Sequence, residues 1–333
     1  MHRISLTTAA LALAVLPPAA AVTGPWAVTE EARVRLVSSG DELGLDFELE
    51  PGWHVYWKNS GDAGYPPRLD FSATPAVREA SLLFPAPHRF DLPGGLVSFG
   101  YEGRVLYPIA AQIERSGGQP LAVRARLDYL VCREACIPHT AELLLEMPAP
   151  GSDPGAEAAE VAGRLAAARA ALPRDPGAVA GAPQVMLRVT RDDAGARTLE
   201  LTAAGGSLAA ASPDLFFETH PFFALDRPQL QATAAGLRFR VGIRPLDETK
   251  PVPASTTFSW TLTGLERTTE EDGRPAPVAL AGSALVEIPT LPTAGSSPGS
   301  PPSLGRWGPA AAVGLAIAVF LLYRFRRSRR PPV

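Results

Sequence analysis

The sequence predicts an all-β body: two β-sandwich domains joined by a helix, with one C-terminal transmembrane helix. Three observations carry this. Apolar residues alternate with polar ones through 24–148 and again through 182–289, the period-2 mark of half-buried strands. Gly, Pro and Asp clusters punctuate these stripes at short intervals, as in Pro51-Gly52, Ser60-Gly61-Asp62, Pro93-Gly94-Gly95 and Ser116-Gly117-Gly118. Proline accounts for 35 of 333 residues, which disfavours helix interiors and favours many short elements. An apolar share of 46% permits a substantial core, and a charged share of 20% argues against wholesale disorder.

Residues 1–21 read as a secretory signal. His2 and Arg3 give a positive start, Ile4 to Leu16 a short apolar stretch, and Ala19-Ala20-Ala21 a small-residue cleavage site. The first sandwich is expected over 22–150. Its stripes are Ala32/Val34/Leu36, then Leu43/Leu45/Phe47/Leu49, then Trp53/Val55/Trp57, and a long run from Leu121 to Val131. Trp53 and Trp57 share the core face of their strand, so His54 and Tyr56 point the other way.

A linker helix is expected within 151–176. Asp153 can cap it, Pro154 suits its first turn, Val161, Leu165 and Leu172 lie near one face, and Pro173 stops it. The second sandwich is expected over 177–289, with strands at 184–190, 198–202, 215–218, 237–243, 257–262 and 279–288.

Residues 290–305, rich in Pro, Ser, Gly and Thr, read as a flexible stalk. The span is expected at 306–323. It holds seventeen uncharged residues from Trp307 to Tyr323, about 25 Å as a helix, at the short limit for crossing a bilayer. Trp307 and Tyr323 sit where interfacial aromatics belong, and the basic tail, 324–333, should stay cytoplasmic. The expected location is therefore a bacterial inner membrane, crossed once, with the body in the periplasm.

The charge pattern excludes one class of partner. Seven of the 31 basic residues are arginines in the two ends. The middle keeps 24 basic against 34 acidic residues, a formal charge of −10. An acidic body with no basic patch is a poor nucleic-acid binder.

The candidate chemistry is in Leu127-Asp-Tyr-Leu-Val-Cys132-Arg-Glu-Ala-Cys136-Ile-Pro-His139, which holds the two cysteines of the chain. The expected geometry is a hairpin with the cysteines facing each other across a three-residue turn, inside the Cα separation of about 4.4–6.8 Å that a bridge needs. Three readings stand beside one another. A structural disulfide closing so short a loop contributes about 2 kcal/mol at most. A redox pair would be helped toward a thiolate by Arg133 or His139 and opposed by Glu134. A Cu(I) site would use Cys132, Cys136 and His139 as soft ligands. Pro138 lacks a backbone N–H and could hold the hairpin edge open for a partner.

Three motifs carry a resemblance. Gly52-Trp-His-Val-Tyr-Trp-Lys-Asn-Ser-Gly-Asp-Ala-Gly-Tyr-Pro-Pro67, Ser98-Phe-Gly-Tyr-Glu-Gly103 and Val131-Cys-Arg-Glu-Ala-Cys-Ile-Pro138 resemble the N-terminal periplasmic domain of DsbD-type thiol:disulfide interchange proteins. The closer likeness is to the branch associated with suppression of copper sensitivity. The resemblance implies immunoglobulin-like sandwiches and a protein-disulfide reductase type of activity without an organic cofactor. It implies that Cys132 and Cys136 form the redox pair, with Cys136 joined to partners in the mixed disulfide. It implies an aromatic cap over the pair at Phe99 and Tyr101. Asp62 is expected in a turn, where it could contact the thiol region, and His139 beside the pair. Implied partners are periplasmic thioredoxin-fold clients and, since longer members carry their membrane-embedded donor in the same chain, a separate membrane electron donor here. Cu(I) binding for copper tolerance, and a non-catalytic interaction module with a structural disulfide, are the alternatives.

Overall fold

The computed structural model describes residues 21–115, 117–152, 158–269 and 274–289. Residues 1–20 of the expected signal, the Asp153 cap, and the expected stalk, membrane span and basic tail lie outside the described residues. Ala21, the last residue of the expected signal, already pairs with Ser39. Among the described residues no helix is long and apolar enough to cross a membrane.

The first half of the chain folds as two sheets. One contains β1 (Ala21–Thr23), β2 (Ala27–Val28), β3 (Ala32–Ser39), β4 (Glu42–Leu49), β7 (Val77–Leu82) and β10 (Arg104–Ile113), in the order β1-β3-β4-β10-β7 with β2 also on β3. The other contains β5 (His54–Gly61), β6 (Arg68–Asp70), β8 (His88–Asp91), β9 (Val97–Glu102), β11 (Leu121–Cys132) and β12 (Cys136–Met147), in the order β12-β11-β5-β9-β8 with β6 on β11. Alternate residues of both sheets meet in one core. Val34, Leu36, Leu45, Phe47 and Tyr107 come from one side, and Val55, Trp57, Leu127, Tyr129 and Val131 from the other. These are the stripes visible in the sequence.

One α-helix, α1 (Ala158–Ala170), comes next in the chain. It packs on the outer face of the first sheet, with Ala158, Val161 and Leu165 against Val37 and Leu106. Leu172 lies beyond its end and is half-buried. Gly44 makes the seat: a Cβ there would come within 2.8 Å of the Leu165 side chain and 3.0 Å of Leu106. Beside it, the fully buried Asp46 accepts from Arg164 of the helix, Nη1 to Oδ2 at 2.9 Å, and from Arg35 and Arg104 of its own sheet.

The second half also folds as two sheets. One contains β13 (Gln184–Arg191), β14 (Arg197–Ala204), β16 (Phe223–Leu225), β17 (Gln229–Thr233) and β18 (Gly236–Pro245). The other contains β15 (Ala209–Phe217), β19 (Ser255–Thr268) and β20 (Pro275–Glu287). The short β16 and β17 are additions to the strands expected from the sequence.

β15 serves both halves. Leu215 and Phe217 point into the second core, while Phe216 between them joins the first. Phe216 meets Phe99 edge to face at 5.1 Å. Arg89 closes the seam. Its guanidinium donates to Asp214 at 2.9 and 3.0 Å and to the Leu215 carbonyl at 2.9 Å, and lies over both Phe99 and Phe216.

Candidate functional site

β11 and β12 form a hairpin whose last paired residues are Cys132 and Cys136. Arg133, Glu134 and Ala135 make the turn, and the Arg133 guanidinium rests over Trp53. The two Cα atoms are 4.1 Å apart, and the sulfurs are joined at 2.04 Å.

Strand alternation decides what surrounds the bridge. Cys132 pairs with His54 of β5, and His54 pairs with Glu102 of β9. Directly paired residues share a face, so the disulfide lies on the outer face of its sheet, away from the core. Tyr56, two residues after His54, is on that face as well. It is fully buried and clusters with Leu130 and Cys132, and Tyr65 packs against the group. The Tyr56 hydroxyl donates to Cys132 Sγ at 2.7 Å and lies 3.5 Å from Cys136 Sγ. Burial pushes the Tyr56 phenol up to about 12, so it keeps its proton at neutral pH and acts as a donor. From the core side, the Tyr107 hydroxyl donates to the Tyr56 carbonyl at 3.0 Å and fixes the backbone there.

The two sulfurs differ in access. Cys132 is 2% exposed, whereas Cys136 is exposed at the strand start. A groove of about 500 Å3 begins two residues from Cys136, lined by Pro138, His139, Thr140, Tyr65, Arg68 and Asp128. Two other clefts, of about 450 and 260 Å3, run along the seam between the sandwiches and do not reach the cysteines.

His54 is buried beside Tyr56. Its ring stacks on Phe90 at 4.7 Å, meets Tyr56 edge to face at 5.3 Å, and pairs through Nε2 with Ser98 Oγ at 3.2 Å. Burial lowers its pKa, against an opposing pull from Glu102, so the ring is neutral at pH 7.

The other expected site residues fall elsewhere. Tyr101 pairs with Val55, whose side chain is in the core, and its hydroxyl donates to the Pro85 carbonyl. Phe99 is in the same core, against Phe216. Neither aromatic caps the disulfide, because both project from the opposite face of the sheet. Asp62 follows β5 just past a bulge, after which Gly61 pairs with Ser98, only two residues along β9 from Gly100, the partner of Tyr56. There it receives the Val97 N–H at 2.8 Å, and it makes no contact with the sulfurs.

His139 pairs with Tyr129, stacks on it at 5.3 Å, and places Nε2 3.1 Å from Glu31 Oε2. The odd spacing from Cys136 turns His139 to the other face. The expected Cu(I) set of Cys132, Cys136 and His139 is therefore not assembled, and among the described residues no three His, Cys, Asp or Glu side chains converge as a metal site.

Sequence reasoning missed Tyr56 and His54 as neighbours of the sulfurs. Their outward face was legible in the alternation of Trp53 to Trp57. That β5 lies directly beside β11 was not, because no local signal encodes that pairing.

Residues 24–148 match the family model described as the thiol:disulfide interchange protein DsbD, N-terminal. The matched segment is 125 of the 333 residues. It carries the disulfide, the Tyr56 pocket and every strand of the first two sheets from β3 onward. The DsbD-type segment and the second half of the chain together share a fold with the N-terminal periplasmic domain of ScsB from Proteus mirabilis, at 19% identity and a TM-score of 0.59. That likeness covers 81% of this chain and 99% of the other, so the arrangement of two all-β halves is common to both. Curated proteins provide no match. The chain thus contains a thiol:disulfide interchange domain with its cysteine pair bridged.

Proposed function

We propose that this protein is a thiol–disulfide relay that accepts electrons from a membrane donor and passes them to thioredoxin-fold clients through Cys132 and Cys136. The observation that carries the reading is the asymmetry of the pair. Cys136 is open to attack, and Cys132 is buried under a phenol donor.

In this mechanism a donor thiolate attacks Cys136 Sγ in line with the S–S bond. The donor sulfur bonds to Cys136, and Cys132 leaves as a thiolate that accepts the Tyr56 hydrogen bond. The donor's second thiolate then attacks the donor sulfur of the mixed disulfide and releases the Cys136 thiolate. The donor is oxidised to a disulfide and the pair is reduced. In the forward step Cys136 attacks a client disulfide, and Cys132 attacks Cys136 Sγ to expel the reduced client. Two electrons pass at each stage, and no organic cofactor takes part.

The proposed setting rests on the sequence. The leader at 1–21 and the apolar run from Trp307 to Tyr323 support export and a single anchor in a bacterial inner membrane, with the body in the periplasm. We read both halves as immunoglobulin-like sandwiches, over 22–150 and 177–289. The three motifs support the copper-tolerance branch, with redox service to clients as its chemistry.

The test is capture of partners by single-cysteine variants. Cys132→Ser leaves the exposed thiol without its resolving partner, so mixed disulfides through Cys136 should accumulate. Cys136→Ser should capture few. Equal capture by both variants, or none by either, contradicts the relay. A reduction potential of the pair below about −300 mV, the range of inert structural bridges, would also contradict it.

A further inference from the structure

The residues expected to cover the disulfide face the core, yet the Tyr56–Cys132 contact is covered. The cover comes from the loop between β5 and β6. Gly64 lies directly on the Tyr56 ring: a Cβ built on it would stand 2.2 Å from Tyr56 Cζ and 2.5 and 2.6 Å from the two Cε atoms. Gly64 has φ +93°, a conformation that side chains with a Cβ rarely adopt. Tyr65, the next residue, packs against the cluster that Tyr56, Leu130 and Cys132 form.

The loop is tied at several points. Asp62 exchanges hydrogen bonds with Val97, both at 2.8 Å, one through its carboxylate and one through its own N–H. Ser60 Oγ donates to the Gly64 carbonyl at 2.9 Å. The Tyr65 hydroxyl donates to the Tyr129 carbonyl at 3.5 Å, and the Arg68 guanidinium lies over the Tyr65 ring.

We propose that the Asp62–Tyr65 loop is the cap of this disulfide: Gly64 presses the Tyr56 ring into the pose that places its hydroxyl on Cys132 Sγ, and Tyr65 restricts access to that sulfur. Gly64 and Tyr65 are positioning residues, acting through Tyr56 and through exclusion. Asp62 is the loop's anchor. The inference rests on the thiol-exchange reading of the pair, but its test needs no client.

The experiment tracks the rate of Cys132 alkylation by iodoacetamide against pH, in the full chain carrying Cys136→Ser. The midpoint of the profile reports the thiolate pKa, and the plateau reports access. Tyr56→Phe removes a hydrogen bond to a charged sulfur and should raise the midpoint by about one unit. Gly64→Ala should raise it by a similar amount, and should add nothing in the Tyr56→Phe background. Gly94→Ala is the control: Gly94 has φ +81° with nothing within 4 Å, so it imposes comparable backbone strain in open space and should leave the midpoint unchanged.

If Gly64→Ala does not fold, Tyr65→Ala carries the test. Its plateau should rise several-fold above that of Tyr56→Phe, which keeps the Tyr65 ring, while Tyr65→Phe stays near the parent. A wild-type midpoint in Gly64→Ala, an equal shift in the Tyr56→Phe background, or an unchanged plateau in Tyr65→Ala would overturn the proposal. Failure of client capture with these shifts intact would defeat the relay and leave the cap standing.

Discussion

Tyr56 and His220 show how single residues set the chemistry and the pH response. Tyr56 is held from behind by Tyr107 and from the side by His54, and its hydroxyl points at the disulfide, closest to Cys132. His220 sits in the second core, 6% exposed, and accepts at Nδ1 from the N–H groups of Phe222 and Phe223. Burial lowers the pKa of both His54 and His220. Below about pH 6.5 the unfolded chain gains protons at these rings that the folded chain does not. Stability should be level above that pH and fall as pH drops toward the lowered folded values. Denaturant midpoints at neutral and mildly acidic pH check this. The fall should shrink in His220→Gln, and a midpoint that rises on acidification would contradict it. The facing of the two cysteines across a hairpin turn was legible from spacing, while which of them is exposed was not. Nor was the Tyr56 donor, since it depends on β5 reaching β11 across 76 positions of sequence.

At the scale of elements, α1 is an appendage of the first sandwich held by one buried ionic cluster. Burial alone would raise the Asp46 pKa, but Arg164 and Arg104 outweigh it and hold the carboxyl below its usual range. Its stabilising charge is therefore present at neutral pH and lost as pH falls through that depressed value. Asp46→Ala strips the shared partner from the half-buried Arg35 and Arg164 and the exposed Arg104, and should destabilise the fold by about 1–3 kcal/mol. Chemical denaturation measures it, and a loss under about 1 kcal/mol, the worth of an exposed pair, would show the cluster is not structural. The strands were readable wherever one face is buried, as in β3, β4 and β11. They were not readable at β17, whose residues Gln229–Thr233 are largely exposed and carry no stripe. The helix was legible from its Ala-rich run. Its seat was not, because that seat is an absence of side chain at Gly44.

Across the whole molecule, the two sandwiches meet at a seam that is part of a core. Phe216 is 1% exposed and belongs to the first half's cluster although it lies on a strand of the second. Asn59 at the end of β5 donates to the Phe217 carbonyl at 2.7 Å, and Lys58 pairs with Glu218. The strand that carries Tyr56 at one end is thus fastened to the second half at the other. Phe216→Ala should cost about 3–5 kcal/mol as a buried aromatic deletion. Calorimetry should then resolve two unfolding transitions where the parent has one. A single transition in the variant, merely shifted, would mean the halves are joined by more than this seam. None of this was legible in sequence, where Phe216 reads as one more residue of an apolar run.

The relay requires Cys136 to be the sulfur that is attacked and Cys132 the one that leaves. Reacting the oxidised protein briefly with glutathione, quenching in acid and locating the adduct by peptide mass spectrometry tests this directly. The adduct is predicted on Cys136, with Cys132 recovered as a free thiol. Adducts on Cys132, or in equal amounts on both sulfurs, would contradict it.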